Sequence, residues 1–289
     1  MINHAFLLLV HNQPNLLRRL LKQLENSNHH FFIHVDKRAD KASFEIALSD
    51  ISNVHFCEKR RACNWGGNNL IWATLDLLRM AKRTRDFGYY HLISGVDAFC
   101  STNSDFDAYF ENNQKSYIAK LPNSADYEWR IKIYGLENYL SRRKKWADFI
   151  CRNLLKAERK ILRIIPLRKG LPKEMIFYKG SQWWSLHSGI VQYILDFLEK
   201  NRWYCRRFSH TFCSDESFFQ TLTYNSPLKD TLVTDNLRYI DWTAKYPNEN
   251  LPRVLDESDY PAIMASGKFF CRKIDERKSQ KLMDLLEKK

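Results

Sequence analysis

Short apolar runs alternate with helix-period segments over the first hundred residues, and this alternation limits the folds open to the chain more than any other feature. AFLLLV at 5–10 is continuously apolar and is ended by HNQPN; LLRRLLKQLEN then repeats leucine at helical spacing until Asn26 to Asn28 stop it. FFIHVD at 31–36 is a second strand and NVHFCE at 53–58 a weaker third. After the turn WGGN at 65–68, LIWATLDLLRMA is an amphipathic helix, and YYHLIS at 89–94 is a fourth buried strand ended by GVDAF. Strand, helix, strand in this rhythm implies parallel strands joined by right-handed crossovers. The expected fold class is therefore α/β, a mostly parallel central sheet flanked by helices.

Open α/β sheets place ligands just beyond the carboxyl ends of their strands. The polar residues there are His11, Asn12, Asp36, Lys37 and Asp97. A carboxylate at such a point can accept from a base N–H or a ribose hydroxyl. Asn, Asp and Gly also end strands through ordinary turn chemistry.

The charge balance narrows the partners. Forty-six Lys+Arg against 33 Asp+Glu leave a formal +13, which suits nucleic acid, an anionic membrane surface or a phosphorylated small molecule. No RNP-like motif, zinc-finger spacing or basic helix-turn-helix signature supports nucleic acid. Cys205, His210 and Cys213 lack the tight pairs that structural zinc prefers, and no GxSxG marks a hydrolase nucleophile. The seven cysteines contain no CxxC pair, which fits a reducing compartment. The N-terminal apolar run is too short for a signal peptide and no stretch is long enough to span a bilayer. The expectation is a cytoplasmic protein, with peripheral attachment to the inner face of the plasma membrane as one option.

That option rests on residues 142–169. Trp146, Phe149, Ile150, Leu154, Ala157, Ile161 and Ile165 recur at helical spacing, with basic residues crowding the other positions until Pro166. The pattern predicts a basic amphipathic helix over about 142–165, suited to an anionic membrane or to packing on the body with a solvated basic face. Further on, Gly180 and Ser181 form a turn that sets Trp183 and Trp184; an adjacent tryptophan pair suits either sugar stacking or plain core. In FCSDESFFQTL, Ser214 is placed to cap an apolar helix and acids suit its first turn. That explains one carboxylate of Asp215 and Glu216 better than two.

The ordered set HNQPNLLRRLL, FFIHVDK, NWGGNNLIWATLDLL, YYHLISGVDAF, YKGSQWWSL, SDESFFQTL, NLRYIDW and SGKFFCRKID resembles the core-2/I-branching β-1,6-N-acetylglucosaminyltransferase family, glycosyltransferase family 14, which also contains the peptide O-xylosyltransferases. The resemblance runs from about residue 4 to residue 275, in a short bacterial-type form. It implies a GT-A nucleotide-sugar fold and an inverting transfer that uses no metal. It also implies that Glu216 is the general base, with Asp215 orienting or capping, and that Arg238 and Lys273 bind the diphosphate. Softer assignments give His11, Asp36, Asp97 and Trp65 to the nucleotide and donor, and Trp183, Trp184, Asp215, Trp129 and Arg130 to the acceptor or sugar.

Two departures stand out, one from most GT-A enzymes and one from the family pattern. The position of the metal-holding DxD motif of most GT-A enzymes reads Gly95-Val96-Asp97, with glycine for the first acid; Asp105-Phe106-Asp107 spells DxD but is expected to open a helix. Around 126–135 the chain lacks the basic pattern by which mucin-branching members hold their acceptor. The resulting expectation is one domain over 1–289, with a nucleotide-binding half at 1–110 and an acceptor and catalytic half at 111–289. Its donor is a UDP-sugar, UDP-N-acetylglucosamine being the family's commonest, and its acceptor a glycan or lipid-linked glycan. No cofactor or metal is expected. Alternatives are transfer of xylose or another UDP-sugar, or a non-catalytic carbohydrate-binding protein.

Overall fold

The computed structural model describes the chain except residues 1, 136, 138–144, 165–169, 245, 247–249 and 289. Among the described residues ten strands are formed: β1 His4–Val10, β2 His29–Val35, β3 Val54–Phe56, β4 Tyr89–Ser94, β5 Asp97–Phe99, β6 Ser116–Ile118, β7 Trp184–His187, β8 Leu232–Val233, β9 Arg238–Ile240 and β10 Phe270–Arg272. Seven of them make one sheet in the order β3-β2-β1-β4-β7-β6-β8. The four N-terminal strands are mutually parallel, as the sequence rhythm implies, and β7 runs antiparallel to both β4 and β6. A second, three-stranded sheet has the order β5-β10-β9.

The continuous apolarity of β1 follows from its place in the middle. Ala5, Leu7 and Leu9 enter the core on one face, where the helices Asn69–Thr84, Ser188–Lys200 and Phe218–Tyr224 pack. Phe6, Leu8 and Val10 enter the core on the other, under the helices Pro14–Leu24, Lys41–Ala47 and Asn103–Glu111. A strand covered on both faces has no polar position to alternate with. The C-terminal helix Gln280–Leu286 closes a smaller core over the second sheet, with Leu282, Met283 and Leu286 against Val96, Ala98 and Cys271.

Three local expectations are settled here. Asp105-Phe106-Asp107 opens a helix as expected: Thr102 caps Asn103–Glu111 by accepting from the Asp105 N–H, while Asp107 is buried and pairs with His29 at 2.7 Å. The two acids thus serve separate partners. Ser214, in contrast, caps nothing, and its hydroxyl is buried without a partner. Cys213 adopts φ 47°, which turns the chain so that Ser214–Glu216 form a 3-10 turn before the helix Phe218–Tyr224 begins. The basic segment forms the helix Lys145–Ile164, and the predicted positions 142–144 and 165 lie outside the described residues.

Candidate active site

A cavity of about 530 Å³ opens at the carboxyl ends of β1, β2 and β4. Its wall includes His11, His34, Asp36, Arg38, Trp65, Ser94, Gln182, Trp183 and Arg272. Four of the sequence-derived residues, His11, Asp36, Trp65 and Trp183, therefore meet in one place, and both halves of the chain contribute.

Asp36 extends β2 by one residue, its N–H bonded to the Val10 carbonyl at 2.8 Å. Its Oδ1 accepts from the N–H and Nε of Arg38, and its Oδ2 from Nη2 of Arg38 and the Cys63 N–H, at 2.7 to 2.9 Å. Burial alone would raise this carboxyl, but these donors outweigh it and hold it below the ordinary range. A carboxylate has about four acceptor positions, so Asp36 is saturated and acts by aiming Arg38. His11 is exposed at the rim, within reach of the charges of Asp36, Lys273, Arg38 and Arg272.

The cationic wall is built from the second sheet. Asp97 of β5 is fully buried and does not line the cavity; it accepts from Arg272 at 2.6 Å and from the Ser94 N–H at 3.0 Å. Its expected place on the nucleotide is thus corrected: it holds the arginine that lines the cavity. Arg272 lies 4.5 Å above the Trp183 ring. Arg238 sits behind, its side chain fully buried, donating to the carbonyls of Leu92 and Asn236 with Nε 3.6 Å from Asp97. Burial pulls its guanidinium down to about 10, so it stays cationic. Arg238 itself does not line the cavity, and the cation that the second sheet places on the wall is Arg272. Lys273, the next residue, is half-buried.

Trp184 is the other correction. As the first residue of β7 it pairs with Leu92 and Ile118 and is fully buried against Phe219, with no face left for a sugar. Trp183, just before β7, packs on the same core and still lines the cavity, whereas Trp184 is wholly enclosed.

Glu216 stands at the side of this cavity. The segment 180–183 links them: the Gly180 N–H bonds the Glu216 carbonyl at 2.8 Å, and Gln182 and Trp183 are already cavity wall. A Cβ at Gly180 would overlap the Ala119 carbonyl, so only glycine lets this strip pass. A second link runs through aromatic rings. Trp65, two-thirds exposed, meets Phe212 edge-on at 5.8 Å, and Phe212 lies beneath the Arg130 guanidinium at 5.3 Å. Gly66, at φ +76°, brings its carbonyl to the Cys213 N–H at 2.9 Å, docking the WGG turn on the acidic turn.

Both cations on Glu216 contact Oε2: Arg130 at 2.8 Å and Lys179 at 3.1 Å. Arg130 and Lys179 also lie over the Tyr127 ring, at 5.0 and 4.8 Å, which fixes both donors. The Glu216 side chain is one-third exposed, while theirs are nearly buried. Asp215 is half-buried, but its Oδ1 is enclosed and accepts no hydrogen bond. Burial, with the Glu216 charge second, pushes this carboxyl up to about 7. Trp129 stacks on Phe212 at 6.3 Å and is part of the support beneath Arg130.

Arg38, Lys179, Gln182 and Arg272 were not singled out in the sequence, although each adjoins a residue that was: Lys37, Gly180, Trp183 and Lys273. The only His/Asp grouping among the described residues with metal-ligand geometry is His4, His29 and Asp107. His4 and His29 open β1 and β2, and the cavity lies at the far end of those strands.

The chain is similar to known proteins over most of its length. The chain is 30% identical to human (Homo sapiens) xylosyltransferase 1 over 252 residues, covering 83% of this chain and 24% of that protein. It is 26% identical to human xylosyltransferase 2 over 309 residues, covering 98% and 33%. It thus spans a quarter to a third of the length of these relatives. Among solved structures, a galactosyltransferase, LgtC, in complex with donor and acceptor sugar analogs is 10% identical, with a TM-score of 0.31 over 58% of this chain and 67% of that one. The sequence model of the Core-2/I-Branching enzyme family matches residues 4–264. The chain belongs to the Core-2/I-Branching enzyme family.

Proposed function

We propose that the protein is an inverting, metal-independent glycosyltransferase that moves a sugar from a UDP donor to a glycan hydroxyl, with Glu216 as general base. One observation carries the reading: a partly exposed carboxylate, fixed by two cations, stands beside a cavity whose wall holds Arg272 and Arg38. Inversion needs a base that takes the acceptor proton as the oxygen attacks the anomeric carbon opposite the leaving UDP. Arg130 and Lys179 hold Oε2, so Oε1 is the oxygen assigned to that proton. Arg272, with Arg238 behind it, supplies fixed positive charge for the departing diphosphate, the electrostatic help a metal gives elsewhere.

Gly95 supports the metal-free part. A Cβ there would come within 2.9 Å of the Val10 side chain, so the strand leaves no room for the missing acid of a DxD motif. Cys57, Cys63, Cys100, Cys205, Cys213 and Cys271 are free thiols, in keeping with a cytoplasmic setting. N-acetylglucosamine is the first reading for the donor sugar, and the names of the relatives favour xylose as the second. Melting-point protection by UDP-N-acetylglucosamine, UDP-xylose, UDP-glucose and UDP-galactose decides between them, since a ligand that binds only the native form raises its stability.

The test of the reading is Glu216→Gln. Transfer is expected to fall about 10²–10⁴-fold, with UDP-sugar binding retained in calorimetry. Unaltered turnover would remove Glu216 from the mechanism.

A further inference from the structure

The helix Lys145–Ile164 turns an apolar stripe to solvent. Ile150, Leu154 and Ile161 are 47, 58 and 59% exposed, and Phe149 beside them is 69% exposed. Ile150, Leu154, Ala157 and Ile161 follow i, i+4, i+7, i+11, so they share one face. Leu155, on the opposite side, is buried. The helix is therefore seated by one side and leaves its main apolar side uncovered.

Its charge says what fits there. The segment has six Lys or Arg, at 145, 152, 156, 159, 160 and 163, against Asp148 and Glu158. Lys156 and Lys160 are exposed and follow one border of the stripe. Apolar side chains bordered by lysine stems match the boundary between headgroups and acyl chains of an anionic bilayer. An aqueous surface offers no gain for Phe149 or Ile161, and a neutral partner none for the bases.

The position of the arm gives the contact a use. One end leaves from the helix Trp129–Lys132, which carries the Arg130 that holds Glu216. The other end returns at Gly170, whose Cβ position lies 3.3 Å from both Glu128 and Lys132. Gly170 and residues 128–132, which flank the arm in sequence, thus meet at the helix that carries Arg130.

We propose that the Lys145–Ile164 helix lies on an anionic lipid bilayer, with Phe149, Ile150, Leu154 and Ile161 in the interface and Lys156 and Lys160 on acidic headgroups. Given the glycosyltransferase reading above, this makes the acceptor class a glycan carried by the membrane. No part of this contact spans the bilayer: among the described residues no helix is long and apolar enough to cross one.

The full chain is sedimented with vesicles of phosphatidylcholine alone and with about 30% phosphatidylglycerol. Binding to the anionic vesicles is expected to be at least about tenfold stronger, and to weaken as salt rises. The triple variant Ile150→Ser, Leu154→Ser, Ile161→Ser is expected to lose vesicle binding while keeping its melting temperature and its turnover on a water-soluble acceptor. Lys156→Glu with Lys160→Glu is expected to reduce binding to anionic vesicles alone. Equal binding to both vesicle types, no binding, or binding that survives the triple variant would overturn the proposal. So would a dimer in sedimentation velocity that the triple variant abolishes, which would give the stripe to a second copy. Glu216→Gln is expected to bind vesicles like the parent while losing transfer; transfer retained in this variant with vesicle binding intact would count against the catalytic reading and leave the bilayer contact standing.

Discussion

Asp97 of β5 and Arg272 of β10 stand directly opposite each other in an antiparallel pair, and the 2.6 Å hydrogen bond between their side chains sets the guanidinium over Trp183 at the cavity wall. Backbone register and side-chain chemistry thus fix one cation together. Arg238, from the neighbouring β9, shares the same carboxylate at 3.6 Å.

Arg272→Ala is expected to weaken UDP binding about ten- to hundredfold by calorimetry, the range for one lost hydrogen bond to a charged group. Asp97→Asn leaves two arginines without their counter-charge. Because removing one partner of a buried pair costs about 3–5 kcal/mol, this variant is expected to lose stability in thermal unfolding as well as UDP affinity. An Arg272→Ala protein with parental affinity would place the diphosphate elsewhere.

Gly180→Ala tests the strip that joins the base to the cavity. A methyl group there meets the Ala119 carbonyl, so either the strip or that carbonyl moves and the bond to the Glu216 backbone is disturbed. Overpacking of this kind costs about 1–3 kcal/mol. Transfer is expected to fall more than the affinity for UDP, a split visible in kcat against a calorimetric Kd.

Asp215 makes stability depend on pH. Its carboxyl titrates at about 7 in the folded protein and at about 4 when unfolded. Between those values the folded state holds the extra proton, so the stability contributed by this group is full below about 4 and is lost as pH rises toward 7. Asp215→Asn removes that loss. The melting temperature of the variant relative to the parent is expected to rise between pH 5 and pH 8, equivalent to about 1–3 kcal/mol; a difference that stays flat across this range would contradict the buried acid.

Gly95 motivates a chelation test. Turnover is expected to be unchanged in EDTA and unaffected by added Mn²⁺, measured as UDP release. Inhibition by EDTA that Mn²⁺ reverses would mean a metal site built from other residues.

The strands were legible because their period is local: β1, β2 and β4 are apolar on both faces, and their ends could be read as the place of a site. Glu216 was reached through motif order, and Asp36 and Trp65 likewise. What stayed hidden depends on register and on where strands begin. Nothing in FCRKID says that Arg272 rather than Lys273 faces the cavity until β10 pairs with β5. Nothing in QWWS says which tryptophan is wholly enclosed until β7 starts at Trp184. Ser214 misled for a similar reason, because the left-handed turn at Cys213 moves the helix start past the acids. Arg38 was overlooked because its role comes from saturating a neighbour, Asp36, that looked like the ligand itself.

The cavity wall takes Leu9 and Val10 from the first strand and Arg272 from the last. A growing chain has no finished cavity until that strand has been made and paired with β5. A ligand met too early would therefore find a half-walled hollow, and ligand capture becomes a report on completed assembly.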